Sequence, residues 1–577
     1  MTGSTAKLFL IDDEPSERFP VWTRGNVGEV FAEAVSPLTW DLLGFRGYEL
    51  GWRDALAKIG AFALEEFRAD DNEVCGAFGG YVYINVSASR VLAVRLPGMT
   101  PEQMDQSFFG DQEAPAYVPS PADENAERTA QAGAWLMSLL TGPDLAFLDE
   151  DKAYIDGEAA ARGDLQSLTD AELLGRARRF TGEMRRFFGS HIYLLYGANV
   201  VTSVVSGVCT AVGRSELASE ILAGLGEVDS TGTSDGLWAL SRQVRASATL
   251  TTAFEGGTDG LLERLAKNPD AADFLVVWDE FIQQHGAYGK NMWELRSATF
   301  ATHPSLAVEM LDLLRRADDS QAPTAKTAEL AERREKAIGE VAALLAGDEE
   351  TLSQFLGAAA NVKLLLPGRE RAKTNCVKCI QEARLALREL GRRVAAAGAG
   401  AADDIMLVLD AELEDYLADP ASAAATIAAR RHQLEELCAL EPPFVFAGEA
   451  PTKDAFKPRR ASRVAGVEAG SVITGLAAAP GTHTGRARTI QSIDEAAKVE
   501  DGDVLVAEIT DSTWGPLFLT AGAVVVEAGS PISHAVIVSR ELGIPAVVSV
   551  PDAVDRIPDG ARVTVDGGTG TITIEEV

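Results

Sequence analysis

The sequence predicts a multidomain protein in which a large, mainly α-helical part is followed by a small α/β domain. Three observations carry this. From about Glu127 to Gly189, and again from Thr202 to Ala266, apolar residues recur at helical spacing with few strand signals. Near the C-terminus the order changes: the apolar run Ala523-Val-Val-Val526, a turn at Gly529, a helical stretch from His534, then Ala546-Val-Val-Ser-Val550. Between the two, Gly448 to Ser462 has no periodicity and is dense in Pro, charge and small residues, the pattern of a linker. The boundaries are set at 1–446 for the helical part, 447–470 for a flexible linker and 471–577 for the α/β domain. At 577 residues there is room for several domains and a large core.

Composition excludes some functions. A formal charge of −34 argues against a nucleic-acid backbone or an anionic membrane as partner, because both are bound by Lys and Arg. Met1 to Asp13 lacks the basic start, apolar core and cleavage site of a secretory signal, and no run of eighteen apolar residues occurs, so a cytoplasmic location is expected. Five cysteines make no disulfide framework, and Cys376-x-x-Cys379 reads as two buried thiols rather than a metal site. No metal ligands are assigned.

Along the chain, Trp22 to Trp40 holds a Gly/Asn turn and a short helix that Ser36-Pro37 is expected to end. Leu42 to Phe67 reads as helix, and Gly80-Tyr-Val-Tyr-Ile-Asn-Val86 alternates as a strand does. His285-Gly-Ala-Tyr288-Gly289 fits a tight turn between helices. Leu364 to Lys373 leads into an amphipathic helix with Ile380, Ala383, Leu387, Leu390 and Val394 on one face. Arg369 and Lys373, four apart, are neighbours on its surface; they make either a solvated basic face or a pair able to neutralise a phosphoryl group.

His534 is the central candidate. It stands in the first turn of a helix whose apolar face is Ala535, Val536, Val538 and Leu542 and whose stop signals are Gly543 and Pro545. Free N–H groups and the positive end of the helix dipole attract an anion there, so the residue is either a capping histidine or the carrier of a phosphoryl group.

The stretch from Gly475 to the C-terminus resembles the phosphohistidine swivelling domain of the PEP-utilising dikinases. The matching residues are Ala479-Pro-Gly481, Gly485, Gly502-Asp503-Val-Leu-Val506, Asp511-Ser-Thr513-Trp514-Gly-Pro516-Leu, the segment Gly529-Ser530-Pro-Ile532-Ser533-His534, and Asp559-Gly560 through Asp566-Gly567 to Gly570. The resemblance implies that His534 is phosphorylated and then moves to a second site, with Gly529, Ser530, Ser533, Thr513 and Trp514 around it. Carbon-metabolism members carry Thr where this chain has Ile532, which puts pyruvate in doubt as acceptor and brings the chain nearer the rifampin phosphotransferase branch. Asn26-x-x-Glu29, Pro37-Leu-Thr39 and Gly80-x-x-Tyr83-x-Asn85 are similar to that branch's substrate domain, as are Gly286, Gly289, Glu294 and Leu295; Tyr288 replaces an arginine and Met292 an acid.

The resemblance further implies an ATP-dependent phosphotransferase with a phosphohistidine intermediate. No segment reads as an ATP-grasp domain or a P-loop, so ATP and Mg2+ are expected on a partner ATP-grasp subunit, as in phenylphosphate synthase-like dikinases. The acceptor is then a small hydroxylated, phenolic or aromatic compound, bound near Asn26, Glu29, His285 and Tyr288. Arg369 and Lys373 would stabilise the transferring group, and Glu294, Glu29 and His285 are candidates for the base. A split antibiotic phosphotransferase and a non-catalytic regulatory protein remain as alternatives.

Overall fold

The computed structural model describes residues 7–109, 114–226, 229–459, 466–491, 495, 498–529 and 533–577. The chain divides into two compact units: Met1–Gly197 with Asn291–Ser297 and Ala372–Ala461, and Ala198–Lys290 with Ala298–Arg371 and Ser462–Val577. The helical region expected as one domain over 1–446 therefore contributes to both.

The first unit carries a four-stranded antiparallel sheet in the order Cys75–Phe78, Tyr81–Asn85, Val21–Thr23, Val445–Ala447. All five residues of Tyr81–Asn85 are buried, so the alternation read from the sequence is a strand covered on both faces. Asn85 ends that strand and caps the helix Val86–Arg95, its side chain accepting from Ala88 N at 2.9 Å. Ser36-Pro37 starts a helix rather than ending one: Val27–Val30 is a single turn, and Pro37 is the first residue of Pro37–Leu43, where its missing N–H costs nothing. Leu50–Ile59 stops at Gly60, whose φ of 86° no residue with a side chain adopts cheaply, so the helix expected to reach Phe67 is shorter.

The stretch expected as a linker is laid down in part. Val445–Ala447 completes the sheet, Lys457–Pro458 pairs with Leu440–Glu441, Phe456 is buried, and Arg459 donates to Ala32 O at 3.0 Å. Residues 460–465 lie outside the described residues.

Two helices contribute to both units. Glu349–Ala396 runs unbroken through Pro367. Asp170–Ala211 is long and apolar enough by composition to cross a membrane, but 56% of its most apolar window is buried inside the protein, as in a core helix. Cys376 and Cys379 are buried and burial pushes both thiols well above their usual range, in keeping with idle core thiols.

In the second unit, helices including Asp229–Ala246, Ala272–His285, Ser305–Leu314 and Thr327–Leu344 form a helical module. Residues 466–577 form an α/β body on an eight-stranded sheet in the order Val472–Thr474, Thr571–Glu576, Arg562–Asp566, Thr482–Ile490, Val504–Ala507, Ala523–Val526, Ala546–Val548, Leu476–Ala479. The four strands from Thr482–Ile490 to Ala546–Val548 are parallel neighbours, and the remaining pairs are antiparallel. The first and last strands in that order are separated in sequence by Gly475 alone, whose N–H donates to Gly570 O at 2.9 Å. Val504, Val506, Val525, Val547, Val563, Val565, Ile572 and Ile574 fill the interior.

Candidate functional site

The site is built on the crossover between Ala523–Val526 and Ala546–Val548. The helix His534–Leu542 starts after Ser533 in extended conformation and ends at Gly543 in the left-handed region (φ 60°). His534 thus occupies the first helical position, as the sequence predicts. His534 is 8% exposed, and its ring meets that of Phe518 edge-on at 6.1 Å between centroids. Ser533 is buried beside it, and a Cβ on Gly529 would lie 3.3 Å from Ser533 Oγ and 2.7 Å from Val548 Cβ, so only glycine lets the turn pass this close. Thr513 and Trp514 are buried in the preceding turn, where Asp511 accepts from Thr513 N at 2.8 Å and from its hydroxyl. Ser530 and Ile532 lie outside the described residues.

Glycines explain the other motifs of this body. A Cβ on Gly567 would come within 1.9 Å of Ala479 O, and Gly567 N donates to Gly481 O at 2.9 Å. The Ala479-Pro-Gly481 and Asp566-Gly567 motifs are therefore two halves of one close contact.

Within the same unit the α/β body is seated on the helical module. A Cβ on Gly515 would lie 2.1 Å from Ser234 Oγ of Asp229–Ala246, so the glycine after Trp514 is required by the docking of that helix. At the far end of the His534 helix, Lys326 donates to Gly543 O at 3.1 Å and Glu541 accepts from Leu225 N. A cavity of about 30 Å3 beside this contact is lined by Leu330, Arg333, Pro480, Ser539, Arg540 and Gly543 among others, room for about one water. It lies at the helix C-terminus, away from His534.

His285 and Tyr288 come together on the helical module. Their rings are 6.2 Å apart, Thr233 Oγ1 is 3.5 Å from His285 Nδ1, and Tyr288 OH lies 3.5 Å from Asp229 O. Arg371 Nε is 3.8 Å from the Asp229 carboxylate. Cβ atoms on Gly286 and Gly289 would strike Ile282 O at 2.2 Å and Ala298 O at 2.1 Å, which makes these glycines packing residues.

In the first unit, Glu294 is fully buried. It accepts from Ser36 N at 3.0 Å, Ser36 Oγ at 2.6 Å, Arg296 N at 3.1 Å and the Thr39 hydroxyl. Arg384, also fully buried, donates to the carbonyls of Met292, Glu294 and Leu295 at 2.7, 2.8 and 3.1 Å.

Two family models match the chain: the rifampicin phosphotransferase fourth domain over residues 187–370, and the PEP-utilising enzyme mobile domain over residues 499–570. The second covers the helix that carries His534. These two segments are similar to domains of PEP-utilising phosphotransferases related to rifampicin phosphotransferase. Among the chain's relatives, the prodigiosin synthesizing transferase PigC of Serratia marcescens is 26% identical over 585 residues, 96% of this chain and 63% of PigC. The rifampicin phosphotransferase of Streptomyces sviceus is 29% identical over 323 residues, 55% of this chain and 36% of that one. An uncharacterised protein of Mycobacterium tuberculosis is 37% identical over 215 residues, 37% of this chain and 24% of its own length. The chain thus spans less than two thirds of each.

The mobile domain brings His534, Ser533, Gly529, Thr513 and Trp514 into one body. The remaining candidates are spread out. Asn26 is exposed at a turn with φ 65°, and Glu29 follows in the one-turn helix with its N–H on Asn26 O at 3.2 Å, both in the first unit. Arg369 lies in the second unit, ion-paired with Glu370 at 2.7 Å, whereas Lys373, one turn on, belongs to the first. Among the described residues no group of three or more His, Cys, Asp or Glu is placed to hold a metal ion. The seat of Glu541 escaped the sequence; the only trace of it is the charged pair Arg540-Glu541 at the end of an otherwise apolar helix.

Proposed function

We propose that this chain is the phosphohistidine-carrying part of an ATP-dependent phosphotransferase. The observation that carries the reading is His534 at the first turn of the mobile-domain helix, on a body docked against a helical module similar to a rifampicin phosphotransferase domain. A neutral imidazole is a competent nucleophile near pH 7, and a helix N-terminus favours the phosphoryl group it receives. ATP and Mg2+ are bound in this proposal by a separate ATP-grasp subunit. His534 takes the β-phosphoryl group of ATP and passes it to a hydroxyl of the acceptor, so that ATP, acceptor and water give AMP, phosphate and the phosphorylated product.

His534 is 8% exposed, and in this proposal it is loaded with the mobile domain off its seat and delivers with the domain on it. The acceptor we favour is a small phenolic or other aromatic hydroxyl compound, since a phenol gives up its proton more readily than an alkyl alcohol. Arg369 and Lys373 are the proposed cations for the transferring group, and Glu29 and His285 the candidate bases besides Glu294. The similarity of residues 187–370 to rifampicin phosphotransferase favours a second reading, an antibiotic phosphotransferase whose nucleotide part is a separate chain.

The test mixes the chain with a purified ATP-grasp partner and ATP labelled at the β-phosphate. Acid-labile label on the wild type and none on His534→Ala is expected; no label, or equal label on both, overturns the reading. AMP release across a panel of phenols then identifies the acceptor.

A further inference from the structure

The helix His534–Leu542 carries a second polar residue whose position is tied to the first. Glu541 follows His534 by seven residues, two helical turns, so both lie on one stripe of the helix about 10 Å apart. Glu541 is 8% exposed, and its two oxygens accept from Leu225 N at 3.1 and 3.2 Å. Residues 224–226 belong to the helical module and are shaped for this. Gly224 and Gly226 have φ of 62° and 96°, a backbone only glycine adopts readily, and such turns gather N–H groups into an anion-binding concavity. Buried Arg334 holds the turn from behind by donating to Gly224 O. Lys326 grips the next turn of chain through Gly543 O.

We infer that Glu541 is the positioning residue that registers the mobile domain on the helical module, and so sets where His534 stands when it delivers its phosphoryl group. The inference rests on the phosphocarrier reading. Because the two residues share a stripe, seating the carboxylate in the 224–226 turn fixes both the rotation of the helix and its advance along its axis. A neutral apolar contact would fix neither. Burial pushes the Glu541 carboxyl up to about 7, against the pull of the Leu225 N–H and Arg334.

Phosphoramidate, a small reagent that phosphorylates accessible histidines, reads the seat without partner or acceptor. In the full-length chain the rate of acid-labile labelling at His534 reports how often the ring is uncovered. Glu541→Lys is expected to raise that rate about tenfold, the least expected for loss of hydrogen bonds to a charged group. Glu541→Gln, which keeps an acceptor, is expected to fall between, and Lys326→Ala, on the other side of the contact, to raise the rate. Amide exchange at Leu225 is expected to rise in parallel while the urea midpoint stays at the wild-type value, which a merely structural role would not produce. Equal labelling rates and equal Leu225 protection in wild type, Glu541→Gln and Lys326→Ala overturn the seat. Failure of His534 itself to take label from ATP and the ATP-grasp partner overturns the phosphocarrier reading instead, whatever phosphoramidate does at other histidines such as the exposed His432.

Discussion

Thr39 and Glu294, 255 residues apart, are joined by a hydrogen bond from the threonine hydroxyl to the buried carboxylate, at the first turn of Pro37–Leu43. Two motifs separate in sequence thus form one joint in the first unit. With Ser36 and Arg296 also donating, the carboxylate has the coordination of a structural clamp. Glu294→Ala is expected to cost about 3 kcal/mol or more, because several buried donors lose their acceptor together. Urea denaturation followed by tryptophan fluorescence measures it. Glu294→Gln separates clamp from catalytic base: a base predicts loss of transfer at unchanged stability, whereas the clamp predicts a lowered midpoint with labelling of His534 retained.

Asp13 gives the first unit a pH dependence. Its Oδ2 accepts from Trp40 Nε1 at 3.0 Å and from Ala77 N at 2.8 Å, and burial pushes the carboxyl up to about 7. A carboxyl raised in the folded state binds its proton more tightly there, so its contribution is fully present below its usual value near 3.8 and is lost as pH rises through about 7. Asn offers one oxygen to the same two donors without the charge. Asp13→Asn is therefore expected to raise Tm more at pH 8 than at pH 5.5, where only part of that contribution has been lost. An equal shift at both values would show that the carboxyl titrates normally.

The legible parts of this chain are those specified locally. The His534 helix follows from its apolar face, its glycine stop and its place between two valine-rich strands, all within about thirty residues. Ser36-Pro37 misleads because proline serves both as a stop and as the first residue of a helix, and only the Glu294 clamp, far along the chain, decides between them. Glu541 and Leu225, 316 residues apart, could not be paired from spacing at all. The division of the helical region into two units was hidden for a similar reason: helical periodicity shows that a face is buried, not against which neighbour. Glu29, His285 and Tyr288 look alike as polar residues in turns, and the fold assigns Glu29 to one unit and the other two to the second.

Gly567 is expected to be indispensable to the mobile domain. An alanine Cβ there would stand 1.9 Å from Ala479 O and 2.7 Å from Ala546 N, both backbone atoms of paired strands that cannot turn aside as a side chain can. Gly567→Ala is expected to lower the stability of this domain by about 3 kcal/mol, the upper part of the range for overpacking. Amide exchange across Ala546–Val548 is the measurement, with protection in the Tyr81–Asn85 strand of the other unit as the internal control. Unchanged protection at Val547 would mean that the loop has room the contact distances deny.

Gly515 makes a separate prediction about docking, because its close neighbour lies on the helical module rather than in the mobile domain. Gly515→Ala would place a Cβ 2.1 Å from Ser234 Oγ but 3.5 Å from Ser234 Cβ, which is ordinary contact. The conflict is thus with one hydroxyl oxygen. Gly515→Ala alone is expected to lift the mobile domain and speed phosphoramidate labelling of His534. Ser234→Ala alone is expected to leave the rate near wild type, and the double variant to return most of the way to it. A double-mutant cycle reads the coupling, expected at about 1–2 kcal/mol and favourable in the double variant, as for residues in direct contact. Additive effects would mean that Gly515 acts inside the mobile domain, through the turn that carries Trp514 towards Phe518 and His534, and that the fit between Gly515 and Ser234 plays no part in holding the two bodies together.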